Sequence, residues 1–160
     1  FELSEAGTFT IINMAVAGLS SYATGKFGDR FGHKNAMVIV FFSYLCALVT
    51  CLFATTLIHA YIVFVFLGIG MGGWLTSAMS LIYEFAGEED TKIYFALTDS
   101  LTAPFVLVSI VLTGVCIPIF GIETVLTVIG LFIVLGILSL MFLTKDPKTV
   151  QTKIESKPLN

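Results

Sequence analysis

Charge is scarce in this sequence: only 12% of its 160 residues are Asp, Glu, Lys or Arg, about half the share of an ordinary soluble domain. With 57% hydrophobic residues and a mean hydropathy of +0.99, the chain has too little polar surface to cover a water-soluble globule. No basic run is present and the net charge is −3, so nucleic acid is excluded as a partner class. Histidine is nearly absent, and His33 and His59 flank different apolar segments. Cys46, Cys51 and Cys116 all fall inside apolar segments, where they read as small buried hydrophobes. No convergent nucleophile, acid-base pair or metal-ligand cluster is visible. An enzyme is therefore not expected, and no metal or cofactor is implied.

What the chain has instead is long apolar runs. Five segments approach the roughly 20 helical residues that cross about 30 Å of hydrocarbon: 4–24, 36–56, 60–84, 92–118 and 123–143. The fold class is thus all-α integral membrane, a polytopic helix bundle occupying 1–144. The first segment is the least hydrophobic, with Thr8, Thr10, Asn13, Ser20 and Ser21; its neighbours favour spanning. The remainder, 145–160, is polar, poor in large apolar residues and expected to be a disordered tail. The chain starts at Phe1 without an initiator Met, which marks it as an expected fragment of something larger.

Alternating crossings place Lys26, Arg30, Lys34, Lys92, Lys145, Lys148, Lys153 and Lys157 on one side. The other side holds only Glu2, Glu5, His59 and Glu123 as ionisable loop residues. Basic residues stay cytoplasmic during insertion, so the expected location is the cell membrane, amino end outside and tail inside. Local signals agree with the boundaries. Glu88, Glu89 and Asp90 precede the fourth segment and Glu123 opens the fifth, where negative charge suits a helix amino end. Pro118 and Gly121 are expected to break the chain at the outer turn, and Asp146 and Pro147 to stop the last helix.

The densest charge lies in Gly25-Lys26-Phe27-Gly28-Asp29-Arg30-Phe31-Gly32-His33-Lys34, between two apolar runs. Gly25, Asp29, Arg30, Gly32 and Lys34 match in type and spacing a signature loop, and the pattern resembles that of the major facilitator superfamily of secondary transporters. The resemblance extends through the helical part of the chain. It implies alternating access, in which two helical halves rock about a central site. It also implies that Asp29 caps a helix of the missing opposite half and latches the cytoplasmic gate. Glu84 is then a candidate partner for the basic residues. The simpler reading is that these charges fix topology and packing alone. Arg30 and Lys34 also suit carboxylates or anionic lipid headgroups.

The motif departs from the family pattern in two places: Phe27 and Gly28 stand where apolar and Ala residues are usual, and His33 replaces the first of two basic residues. In the family the loop joins the second and third helices and recurs more loosely between the eighth and ninth, and such loosening fits that second copy. The five segments are accordingly read as helices eight to twelve of the transporter, with helices two to six as the alternative. Helical spacing sets Thr10, Asn13, Ala17, Ser20 and Thr24 on one face of the first segment, and Asp99, Thr102, Val106, Ser109 and Thr113 on one face of the fourth. The second and fifth segments are apolar all round.

Candidate residues for a substrate or ion pathway are Asn13, Trp74, Asp99 and Thr102. Asp99 is the only carboxylate well inside a predicted span; it reads as a proton or cation site, or as a group reaching interfacial water or a basic partner. Asn13 and Trp74 have packing as their simpler reading. The run Gly68-Ile69-Gly70-Met71-Gly72-Gly73 lacks the strand and Lys-Ser of a phosphate loop, so close helix packing is expected. Pro104 is expected to bend its helix. The function read from all this is secondary transport of a small solute, with or without a coupled proton or cation, in partnership with membrane lipids and the missing transporter half. A non-transporting scaffold that keeps the same bundle is the alternative.

Overall fold

The computed structural model describes residues 3–142. The tail 145–160, Glu2, Asp146 and Pro147 lie outside the described residues, as do the side chains of Glu88, Glu89 and Asp90. The described chain forms four helices, α1 (Leu3–Phe31), α2 (His33–Leu52), α3 (Leu57–Phe120) and α4 (Ile122–Phe142). Backbone in hydrocarbon must satisfy its own hydrogen bonds, and a helix does so within one segment.

Helix α3 corrects one expectation. The apolar segments 60–84 and 92–118 leave residues 85–91 as an expected connection outside the spans, yet every residue from Leu57 to Phe120, 64 in all, is helical. A straight helix of that length would measure about 96 Å, some three bilayer cores. It is not straight. The rings of Tyr83 and Phe95 pack edge to face with centroids 5.5 Å apart, whereas twelve residues of straight helix span about 18 Å. The chain therefore doubles back between a first arm, Leu57–Glu84, and a second, Thr91–Phe120.

Other boundaries shift for local reasons. Helix α1 continues past Thr24 to Phe31, so most of the charged motif is helical rather than loop. Pro118 lies inside α3, and the break falls at Gly121, with φ 81° and its N–H on the carbonyl of Ile117. A proline there removes one donor without ending the helix, as membrane helices tolerate.

Among the described residues, four stretches are long and apolar enough to cross a membrane: His33–Leu52, Leu57–Glu84, Thr91–Phe120 and Ile122–Phe142. Helix α1 is long enough but does not join them; its hydroxyl and amide residues lower its hydropathy. The chain is a membrane-embedded, multi-pass helical protein.

Side-chain contacts set the directions. Asn13 of α1 meets Phe64, Ser21 meets Gly72, and Gly25 meets Thr76, so α1 and the first arm run parallel. Ser43 of α2 meets Phe66 and Val40 meets Gly73, so α2 runs antiparallel to that arm. Helix α4 lies along α2 in the opposite sense, with Gly130 against Leu48 and Met141 bonded to Lys34. The charged turn and the carboxyl end of α4 thus share one end of the bundle. Phe9, Ala36, Met37, Val40 and Ala47 form the apolar core.

Candidate functional site

The charged motif is built as the end of one helix, a single hinge residue and the start of the next. Gly32 is that residue, with φ 92° and ψ 138°, a conformation that only glycine adopts readily. Its N–H closes α1 on the carbonyl of Gly28 at 2.8 Å, and its own carbonyl accepts from the N–H of Ala36 to open α2. Gly25 has a different job. A Cβ there would stand 3.3 Å from Cγ2 of Thr76, so its bareness seats α1 against the first arm.

Asp29 is exposed, and its Oδ1 lies 3.4 Å from Nε2 of His33 one turn along the chain. Arg30 places its guanidinium 5.2 Å from the centre of the Phe31 ring, which also packs against Phe27. Lys34 donates to the carbonyl of Met141 at 3.3 Å, supplying a donor and a positive charge to the last turn of α4. Glu84 forms no ion pair with a basic side chain among the described residues; its Oε2 is buried and lacks a hydrogen-bond partner there.

Behind the turn, a glycine run fixes the helix spacing. Gly68 and Gly72 face α1, where a Cβ would run into the backbone carbonyls of Asn13 and Ala17. Gly70 and Gly73 face α2, where one would meet Tyr44 and Val40. Close packing, rather than phosphate binding, is what these glycines permit. Backbones held this near let short side chains reach across: Asn13 Nδ2 donates to Phe64 O at 3.2 Å, Ser20 to Ile69 O and Ser21 to Gly72 O at 2.8 Å each.

The four candidate pathway residues do not converge. Asn13 is engaged with Phe64 as above, and Trp74 packs edge to face on Phe41 of α2 at 5.9 Å. Asp99 and Thr102 stand on the exposed second arm, where Thr102 returns its hydroxyl to the Thr98 carbonyl. Sequence reasoning named Gly28 and His33 as separate departures and missed that they touch: a Cβ on Gly28 would fall on the His33 ring. It also missed the buried Ser77. Their spacing of five residues across a turn was the available signal.

Comparison with known proteins agrees with this architecture. A sequence model of the Major Facilitator Superfamily matches residues 1–159. The chain is also similar to a protein named niacin transporter NiaP from Acinetobacter baylyi, at 27% identity over 118 residues. That match covers 74% of this chain and 27% of the relative, so the matched part spans roughly a quarter of the relative's length. No solved structure matches the chain significantly.

Proposed function

The chain belongs to the major facilitator superfamily, and from that premise we propose that it forms most of one half, helices eight to twelve, of a secondary transporter working by alternating access. The charged turn faces the cytoplasm, with the amino end outside and the tail inside, and Asp29 latches the cytoplasmic gate against the missing half. The observation that carries this reading is the division of labour in the turn. Gly25 and Gly32 are committed to backbone geometry, while Asp29 and Arg30 remain at the surface at the end shared with α4.

The cargo is a small solute. Asp99 and Thr102, on the exposed arm, are the favoured pathway residues; Asn13 and Trp74 support their helices from within. Arg30 is the only arginine in the chain and stands at the turn, so an anionic cargo would draw its cationic contact from the missing half. Coupling to a proton or cation would run through Asp99. The lipid and partner-half contacts fall to the second arm and to the Arg30 face.

Flux into proteoliposomes of the complete protein tests this, with nicotinate included in the solute panel because of the relative's name. Uptake of no solute by correctly folded protein would leave the scaffold reading in its place. For the latch, Asp29→Asn is expected to lower transport with expression intact, by shifting the balance of inward and outward states. Accessibility labelling that finds the balance unchanged would sink the latch role.

A further inference from the structure

We propose that the groove between α1 and α2 binds an anionic phospholipid of the leaflet that meets the charged turn, with an acyl chain lying along α1 and the phosphate held by Arg30 and Lys26. The proposal deepens the reading above and rests on it for the identity of that leaflet, the cytoplasmic one.

The groove has a volume of about 430 Å³ and is walled by Val16, Leu19, Ala23 and Phe27 of α1, Ile39 of α2 and Ile69 of the first arm. Its two hydroxyls are already engaged: Ser20 donates to the Ile69 carbonyl at 2.8 Å and lies 3.4 Å from the hydroxyl of Thr24. Leu19 and Ile39 are exposed along it. What the groove offers an occupant is therefore hydrocarbon.

Its position and length suit an acyl chain. Ile69 stands near the middle of Leu57–Glu84, the part of α3 apolar enough to cross a membrane, and α1 runs beside that arm in the same direction. From Val16 to Phe27 a helix rises about 16 Å, and half of a hydrocarbon core is about 15 Å. The groove thus runs from the level of the bilayer middle to the charged turn, the depth of one leaflet.

Charge at its end selects the headgroup. Arg30 and Lys26 are both exposed. At 3.6 residues per turn Arg30 continues the stripe of Val16, Leu19, Ala23 and Phe27, and Lys26 borders that stripe on the Leu19 side. Contacts join Arg30 to the groove. Its guanidinium lies 5.2 Å from the centre of the Phe31 ring, Phe31 packs on Phe27 with centroids 4.8 Å apart, and Phe27 is wall. A phosphate at this end meets a guanidinium, which takes it through paired N–H donors, and an ammonium beside it. Asp29, the acidic residue of the turn, falls on another face of α1 and lies 3.4 Å from His33. Anionic lipids of the cytoplasmic leaflet attract basic segments at that surface.

A second groove provides the contrast. About 460 Å³ in volume, it lies between the second arm and α4 and reaches the opposite turn at Phe120 and Thr124. Residues 109–132 contain Glu123 and no lysine or arginine. That groove has room for a chain and no partner for a phosphate.

The test reconstitutes the complete protein into liposomes with trace phosphatidylglycerol or phosphatidylcholine of identical tails, each carrying a photoreactive diazirine in the acyl chain, and maps the adducts by mass spectrometry. Phosphatidylglycerol is expected to label residues 16–27 several-fold more than phosphatidylcholine, and residues 109–132 no more than it. Replacing Arg30 and Lys26 together by Gln should abolish the preference, while Arg30→Lys should keep most of it. Ala23→Phe, which fills the groove, should cut labelling of 16–27 by either lipid and leave 109–132 unchanged. Equal labelling of 16–27 by the two lipids, or a preference that survives the double Gln variant, would overturn the proposal. Absence of adducts on 16–27 would also overturn it and give the groove to the missing half. Solute flux measured in the same liposomes keeps the two readings apart. Selective labelling of protein that moves no solute supports the lipid site and counts against transport, whereas flux with unselective labelling removes the lipid site alone.

Discussion

The two arms of α3 follow one another directly along the chain and are both apolar enough to cross a membrane, yet they live in opposite surroundings. The first arm is wedged between α1 and α2, with Ser77 fully buried and four glycines pressed against neighbours. The second arm has no buried residue after Thr91, and Gly114 has nothing within 4 Å of where a Cβ would be. Hydropathy does not distinguish them, because lipid tails are as apolar as the side chains of another helix. Small residues do. Where Gly occurs every three or four positions, backbones approach closely enough for dispersion and short polar side chains to bind them.

The largest expected effect breaks this contrast directly. Gly72→Leu places a branched side chain where a Cβ alone would overlap the Ala17 carbonyl. Overpacking of this kind costs about 3 kcal/mol or more when backbone must move, and the first arm should lose its seat on α1. Gly114→Leu, into open space, should leave stability unchanged. Thermal unfolding of the two purified variants decides it. Equal losses would show that glycine content, rather than contact, separates the arms.

Much of this was legible in the sequence, and the rest was hidden for identifiable reasons. The apolar runs announced the spans, and the resemblance of Gly25, Asp29, Arg30, Gly32 and Lys34 to a family motif pointed to the superfamily that the comparison supports. The packing role of Gly68 and Gly72 followed from their spacing in an apolar helix. The partners were not legible. A serine at 20 or 21 looks the same whether its hydroxyl crosses to another helix or returns to its own, and Asn13 read equally well as a pathway residue or a packing one. Nor could composition reveal that Gly28 is shaped by His33, since only the bend at Gly32 folds one onto the other. That the residues between the arms are helical was hidden too. Acidic residues suit both a loop and a helix amino end.

A smaller effect sharpens the comparison at the ends of the bundle. Gly32 and Gly121 both have positive φ, at 92° and 81°, and an L side chain at such a position costs on the order of 1–3 kcal/mol. Gly121 joins the second arm to α4 with open space around it, so Gly121→Ala should show the backbone cost alone. Gly32→Ala should show that cost together with loss of the Lys34 contact to Met141 and displacement of His33 from Gly28. Paired unfolding measurements, with His33 followed by NMR, separate the two. An undisturbed His33 signal in Gly32→Ala would mean that the turn is set by its neighbours instead.

The smallest expected effect tests whether the hydroxyls matter as the glycines do. Ser21 donates across to the Gly72 carbonyl at 2.8 Å, whereas Ser109 on the second arm donates to Phe105 of its own helix at 2.7 Å. Both bonds are equally short, so bond length predicts equal losses on substitution by alanine. Interhelical bonds in membranes contribute about 0.6 kcal/mol each; a bond back to the same helix holds no two elements together and slightly disfavours straight helix. Ser21→Ala should therefore lower stability by about that interhelical increment, and Ser109→Ala by nothing measurable. Equal effects would shift the explanation of the buried arm wholly onto its glycines, because then the polar seam would follow close packing without contributing to it.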